Sequence, residues 1–102
     1  MKIGSLYLVK KYYWFLFSSK ETADLVAPGA YGVHRPAADH VARLADYWSK
    51  RFNCAVTYLS DKDLIVFLEK DGKFKKVLTT DGKIGWIIFT DRYNDCFEEV
   101  KN

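Results

Sequence analysis

Cysteine, proline, glycine and methionine are all scarce here: among 102 residues there are 2 Cys, 2 Pro, 6 Gly and 1 Met. Cys54 and Cys96 form no Cys-x-x-Cys pair and have no His cluster beside them, so the ligand spacing of a metal site is absent. No metal and no cofactor is expected. Both thiols read as reduced, partly buried small hydrophobes rather than as a disulfide. Long hydrophobic runs are missing too. The longest, Tyr12 to Phe17 and Ile84 to Phe89, hold six residues each, far short of the ~20 that cross a bilayer, which excludes a membrane helix. Lys10 and Lys11 interrupt the apolar stretch that a signal peptide needs and no small-residue cleavage site follows, so a cytoplasmic location is expected.

An excess of one charge is also lacking. Sixteen Lys and Arg stand against 13 Asp and Glu, a net charge of +3, which is ordinary for solubility and unlike a strongly basic nucleic-acid binder. The distribution is uneven, however. Lys2, Lys10, Lys11 and Lys20 open the chain without an acid among the first 20 residues, whereas four acids, Asp91, Asp95, Glu98 and Glu99, crowd its end.

What the chain does have is aromatic rings, at 17% of residues, with 49% apolar residues overall. That suits one domain spanning residues 1–102, which buries roughly two thirds of its unfolded surface around a single core. Large rings serve both a small β-barrel and a sticky binding face.

Ile3 to Phe17 reads as one bent strand, or as two joined at Lys10-Lys11. Ser18-x-x-Glu21 has the form of a capping box for a short helical turn through Leu25, and Pro28-Gly29 reads as a type II turn. Arg35 to Phe52 is the clearest helix. Pro36 suits its first turn, and Ala38, Val41, Ala45, Trp48 and Phe52 recur at spacings of three and four, with Leu44 widening the stripe. Asp39, Arg43, Asp46 and Lys50 mark the opposite, solvated face. Ala55 to Leu59 then reads as a short strand before a turn at residues 60–63. Leu64 to Leu68, Phe74 to Leu78 and Ile84 to Phe89 form a meander through Asp71-Gly72 and Asp81-Gly82. With two-residue loops, Val66 faces Val77, Leu68 faces Lys75, Val77 faces Trp86 and Leu78 faces Gly85. Both faces then carry large apolar groups, as in a curled wall with a helix laid outside it.

Leu64 to Ile87 resembles the second half of bacterial SH3-like domains, in which a strand, a tight hairpin with an aromatic and a Val, and a Gly-x-x-Gly-Trp-Val-like ending follow in order. The matching residues are Phe74, Val77, Gly82, Gly85, Trp86 and Ile87. The resemblance implies a mainly β fold, an SH3-like small barrel, with an inserted or capping helix at about residues 36–52. Proline-rich ligands are not implied, since the aromatic-acidic signature and late proline of peptide-binding eukaryotic SH3 domains are absent. The chain as a whole also resembles short proteins of cyanobacteria and their phages, on no defined motif.

Side chains alternate along a strand, so Tyr13, Phe15 and Phe17 are expected in the core and Tyr12, Trp14 and Leu16 outward. An outward Tyr-Trp pair makes a ligand platform; alternatively the helix or a neighbouring chain covers that face. Lys70, Lys73, Lys75, Lys76 and Lys83 cluster on the hairpins beside Phe74 and Trp86, the mixture single-stranded nucleic acid exploits, or simply a solvated hairpin protected from edge pairing. His34 and His40 have no nucleophile placed beside them by any motif, and Gly29 to Gly32 lacks the ending of a phosphate loop. The expected function is a non-enzymatic protein-interaction module with a groove lined by Tyr12, Trp14, Tyr31 and Trp86. Its partner is a protein or peptide. The alternatives are nucleic-acid binding through the hairpin lysines and a homodimeric structural protein.

Overall fold

A computed structural model describes residues 2–26 and 38–101. The strands are Leu6–Val9 (β1), Trp14–Phe17 (β2), Val56–Leu59 (β3), Leu64–Asp71 (β4), Phe74–Thr79 (β5), Ile84–Ile88 (β6) and Phe97–Glu99 (β7). The helices are Lys20–Leu25 (α1) and Ala38–Phe52 (α2), with a 3-10 helix at Asp91–Cys96. All seven strands pair antiparallel in one sheet of order β3-β2-β6-β5-β4-β1-β7, which curls into a half-barrel. The expected mainly β fold with one substantial helix is therefore present. No helix among the described residues is long and apolar enough to cross a membrane.

Period-two alternation sends the strands' apolar side chains into two cores, one on each face. On the concave face Trp14, Leu16, Leu59, Phe67, Val77, Ile87 and Phe89 close on one another, and Phe97 and the half-buried Tyr93 pack beside them. On the convex face Phe15, Phe17, Val56 and Ile88 lie under Ala23 of α1 and Val41 and Ala45 of α2. The Trp48 ring meets Phe15 edge-on at 4.8 Å. Each ring so buried stabilises the fold by roughly 1.5–3 kcal/mol, and β2, buried on both faces, links the two cores.

The first β stretch is two strands. The break comes at Tyr12, whose φ of 69° no strand tolerates, and Trp14 holds it by donating from Nε1 to the Lys11 carbonyl at 2.8 Å. The capping serine of α1 is Ser19, whose Oγ accepts from the Thr22 amide; the Ser18 hydroxyl turns to Cys54 instead. From the expected stripe of α2, Val41 and Ala45 are buried and Leu44, Trp48 and Phe52 pack half-buried beside them, while Asp46 and Lys50 pair at 3.0 Å on the solvated side. The expected start of this helix at Arg35 and Pro36, the Pro28-Gly29 turn, Tyr31 and His34 lie outside the described residues.

Both hairpins differ in register from that expected with Asp71-Gly72 and Asp81-Gly82 as the loop residues. Asp71 faces Phe74, so the first loop is Gly72 and Lys73, with Gly72 at φ 60°. The same register sets Lys75 opposite Lys70, and an irregularity between Phe67 and Glu69 then sets Val77 opposite Phe67. In the second hairpin the Thr79 amide donates to the Lys83 carbonyl at 2.8 Å. That leaves a three-residue loop, Thr80, Asp81 and Gly82, with Gly82 at φ 87°. Val77 consequently faces Gly85, and Trp86 faces Lys76. A slip of one residue exchanges the faces of a strand, so Trp86 stands on the convex side.

Candidate functional site

Among the described residues the expected aromatic groove is not assembled. Trp14 is completely buried, ringed by Tyr12, Phe89, Tyr93 and Phe97 at centroid distances of 5.1–6.2 Å. The outward platform fails because the sheet curls over this face while α1 and α2 cover the other. Trp86 is paired with Phe17 on the opposite side of the sheet from Tyr12 and Trp14, with the ammonium groups of Lys20 and Lys76 over its ring at 5.5 and 5.7 Å. Tyr31 lies outside the described residues.

The five hairpin lysines separate as well. Lys75 is buried, 3% exposed; its Nζ donates to the Phe89 carbonyl at 2.6 Å and to the Gly72 carbonyl at 3.0 Å, over the Phe89 ring. It holds the end of the concave core together. Lys76 lies 3.9 Å from Glu69 on the convex face, Lys73 is 3.8 Å from Asp24, and Lys83 is 3.6 Å from Asp81 at the far turn. Lys70, Lys73 and Lys75 share one open hollow with Gly72 and Thr90.

A different surface is continuous. Three hollows of about 160, 300 and 400 Å³ adjoin along β3, and Thr57 and Lys83 line all three. The first, at the mouth of the curled sheet, has a floor of Leu16, Leu59 and Leu64 and a rim of threonines with Asp63 and Asp81. The second is the most apolar, set between Leu16, Ala55 and the exposed Ile84. The third lies against α2, between Ala42, Asp46, Ser49 and Tyr58. Neither the lone turn residues nor the short strand signals this surface in the sequence, since it depends on which strand ends the sheet.

β3 is that edge strand, and its outer backbone groups are unevenly covered. Ser49 Oγ accepts from the Val56 amide at 3.0 Å and lies 3.2 Å from the Val56 carbonyl. The Ser60 amide donates to Asp63 at 2.8 Å. The alternation of an antiparallel pair turns the Tyr58 amide and carbonyl outward between those two positions, beside a Tyr58 ring that meets Tyr13 edge-on.

Below this groove, Cys54 Sγ lies 3.0 Å from Ser18 Oγ. Burial pushes its pKa up, but hydrogen bonds from Ser18, Thr22 and the Ser19 and Ser18 backbone outweigh that and leave the thiol below its ordinary value. Cys96 is free as well, and burial pushes its thiol up. His40 and Asp39 are exposed on α2. No cluster of three or more metal-ligating side chains forms among the described residues. Compared with known proteins, the chain matches no family model, no curated protein and no solved structure.

Proposed function

We propose that the chain is a non-enzymatic protein-interaction module, an SH3-like barrel capped by α2, which holds an extended segment of a partner protein in the groove around β3. The observation that carries this reading is the run of three adjoining hollows sharing Thr57 and Lys83 beside the outward-facing backbone of Tyr58. Extended segments bind sheet edges by main-chain pairing and pockets for alternate side chains, and the Leu16–Ala55–Ile84 hollow is a pocket of that kind. The SH3-like part draws support from the β4–β5–β6 meander and from β7, which returns through the 3-10 helix to pair with β1.

The test is selection of binders from a random linear peptide library, followed by amide chemical-shift mapping. Shifts confined to Thr57, Tyr58, Lys83 and Ile84, and binding lost in Ile84→Ser with an unchanged melting temperature, are expected. Shifts around Lys70 and Lys73, or salt-sensitive retention of single-stranded nucleic acid by those two lysines, would overturn the reading in favour of the hairpin face.

A further inference from the structure

We infer that the partner segment is basic, carrying an apolar side chain for the Ile84 hollow with lysine or arginine near it. The inference rests on the groove assigned above and adds its chemistry. The chain has a net charge of +3, yet the groove inverts that sign: among the described residues Asp46, Asp63 and Asp81 line it against the one ammonium of Lys83.

These carboxylates stand at its two ends, Asp46 on α2 and Asp63 with Asp81 at the sheet mouth, with the apolar hollow of Leu16, Ala55 and Ile84 included between Thr57 and Lys83. The Thr79 hydroxyl, with Lys83 beside it, holds the Asp81 carboxyl below the usual carboxylate range, so it is ionised at neutral pH. Among the described residues Asp46 pairs with Lys50, and both side chains are exposed, 66% and 79%. A pair so hydrated is worth little and yields readily to a partner's cation. Lys83 is already neutralised by Asp81 at 3.6 Å and so does not offset Asp46 and Asp63. Acidic segments would meet like charge at both ends of the groove, which disfavours them, whereas basic ones are steered in.

The experiment is the same peptide selection, counter-selected on Ile84→Ser so that only peptides using the groove survive, with the charge of the survivors as readout. Survivors rich in Lys and Arg are expected. Their affinity should fall with added salt, and about two- to fivefold for each of Asp46→Asn and Asp81→Asn, the size of an exposed ion pair. Survivors that are neutral or acidic would overturn the basic partner and leave the groove standing. Failure to recover any Ile84-dependent peptide would overturn both.

Discussion

The Lys10 ammonium lies 2.8 Å from the Glu98 carboxylate, across 88 residues of chain. Lys2 stands 3.9 Å from Glu99 beside it. Two of the four lysines that open the chain thus meet two of the four acids near its end, where β1 pairs with β7. Both partners of the Lys10–Glu98 pair are exposed, so Lys10→Ala should cost only about 0.2–1 kcal/mol. Phe97, which shares β7 with Glu98 and stacks 4.8 Å from Phe89, should cost about 3–5 kcal/mol on replacement by Ala. Urea denaturation of the two variants checks the order.

Gly85 is fixed by space rather than by φ. A Cβ there would stand 2.7 Å from Leu16 Cγ and 2.8 Å from the Phe17 carbonyl oxygen, and the latter is backbone that cannot swing aside. Gly85→Ala should force β6 away from β2 and destabilise by roughly 1–3 kcal/mol or more. Loss of amide protection at Phe17 and Trp86 in hydrogen exchange would locate the damage there.

Lys75 and Lys70 face each other across the first hairpin but differ in depth. Lys75→Met removes the donor for the Gly72 and Phe89 carbonyls and should cost about 1–3 kcal/mol, whereas exposed Lys70→Met should stay within about 0.5 kcal/mol of the parent. Equal melting temperatures for the two variants would contradict the burial of Lys75. Charge reversal at Lys75 therefore tests folding, not ligand binding.

The two thiols should separate by pH. Cys54 is shifted down, so its thiolate fraction at neutral pH exceeds that of Cys96, which is shifted up. Alkylation followed by mass spectrometry should label Cys54 first, with a rate that rises with pH and levels off above the lowered pKa. Ser18→Ala removes the hydrogen bond at 3.0 Å and should move that pH midpoint upward. A midpoint unchanged in the variant would show that Ser18 does not set it.

The three-strand meander was legible because Gly72 and Gly82 mark their turns, and α2 because its apolar stripe recurs at helical spacing. Register was not. A turn dipeptide tells where a chain reverses but not which residues form the loop, and the hydrogen bonds of Thr79 decided the second hairpin. That single residue moved Trp86 to the other face. Trp14 went astray for a different reason: β2 pairs with β6 across nearly seventy positions of chain, and only that pairing shows both of its faces to be covered. The burial of Lys75 had a signal in its parity with Val77, two residues on along the same strand. The groove around β3 had none, because the order of strands in a sheet is not written locally.

Ser49 gives the sheet its last row. Its hydroxyl oxygen accepts from the Val56 amide at 3.0 Å, while its one proton is shared between the Ala45 carbonyl at 2.8 Å and the Val56 carbonyl at 3.2 Å, so a visiting strand finds the amide of Val56 already taken and an open ladder position at Tyr58. Recognition at this border is therefore forced onto side chains, which distinguish partners, and away from the peptide backbone, which all chains share. Ser49→Ala would lengthen the open border, and self-association that grows with concentration in sedimentation is the expected sign: a selective surface turned, by one oxygen atom, into an indiscriminate one.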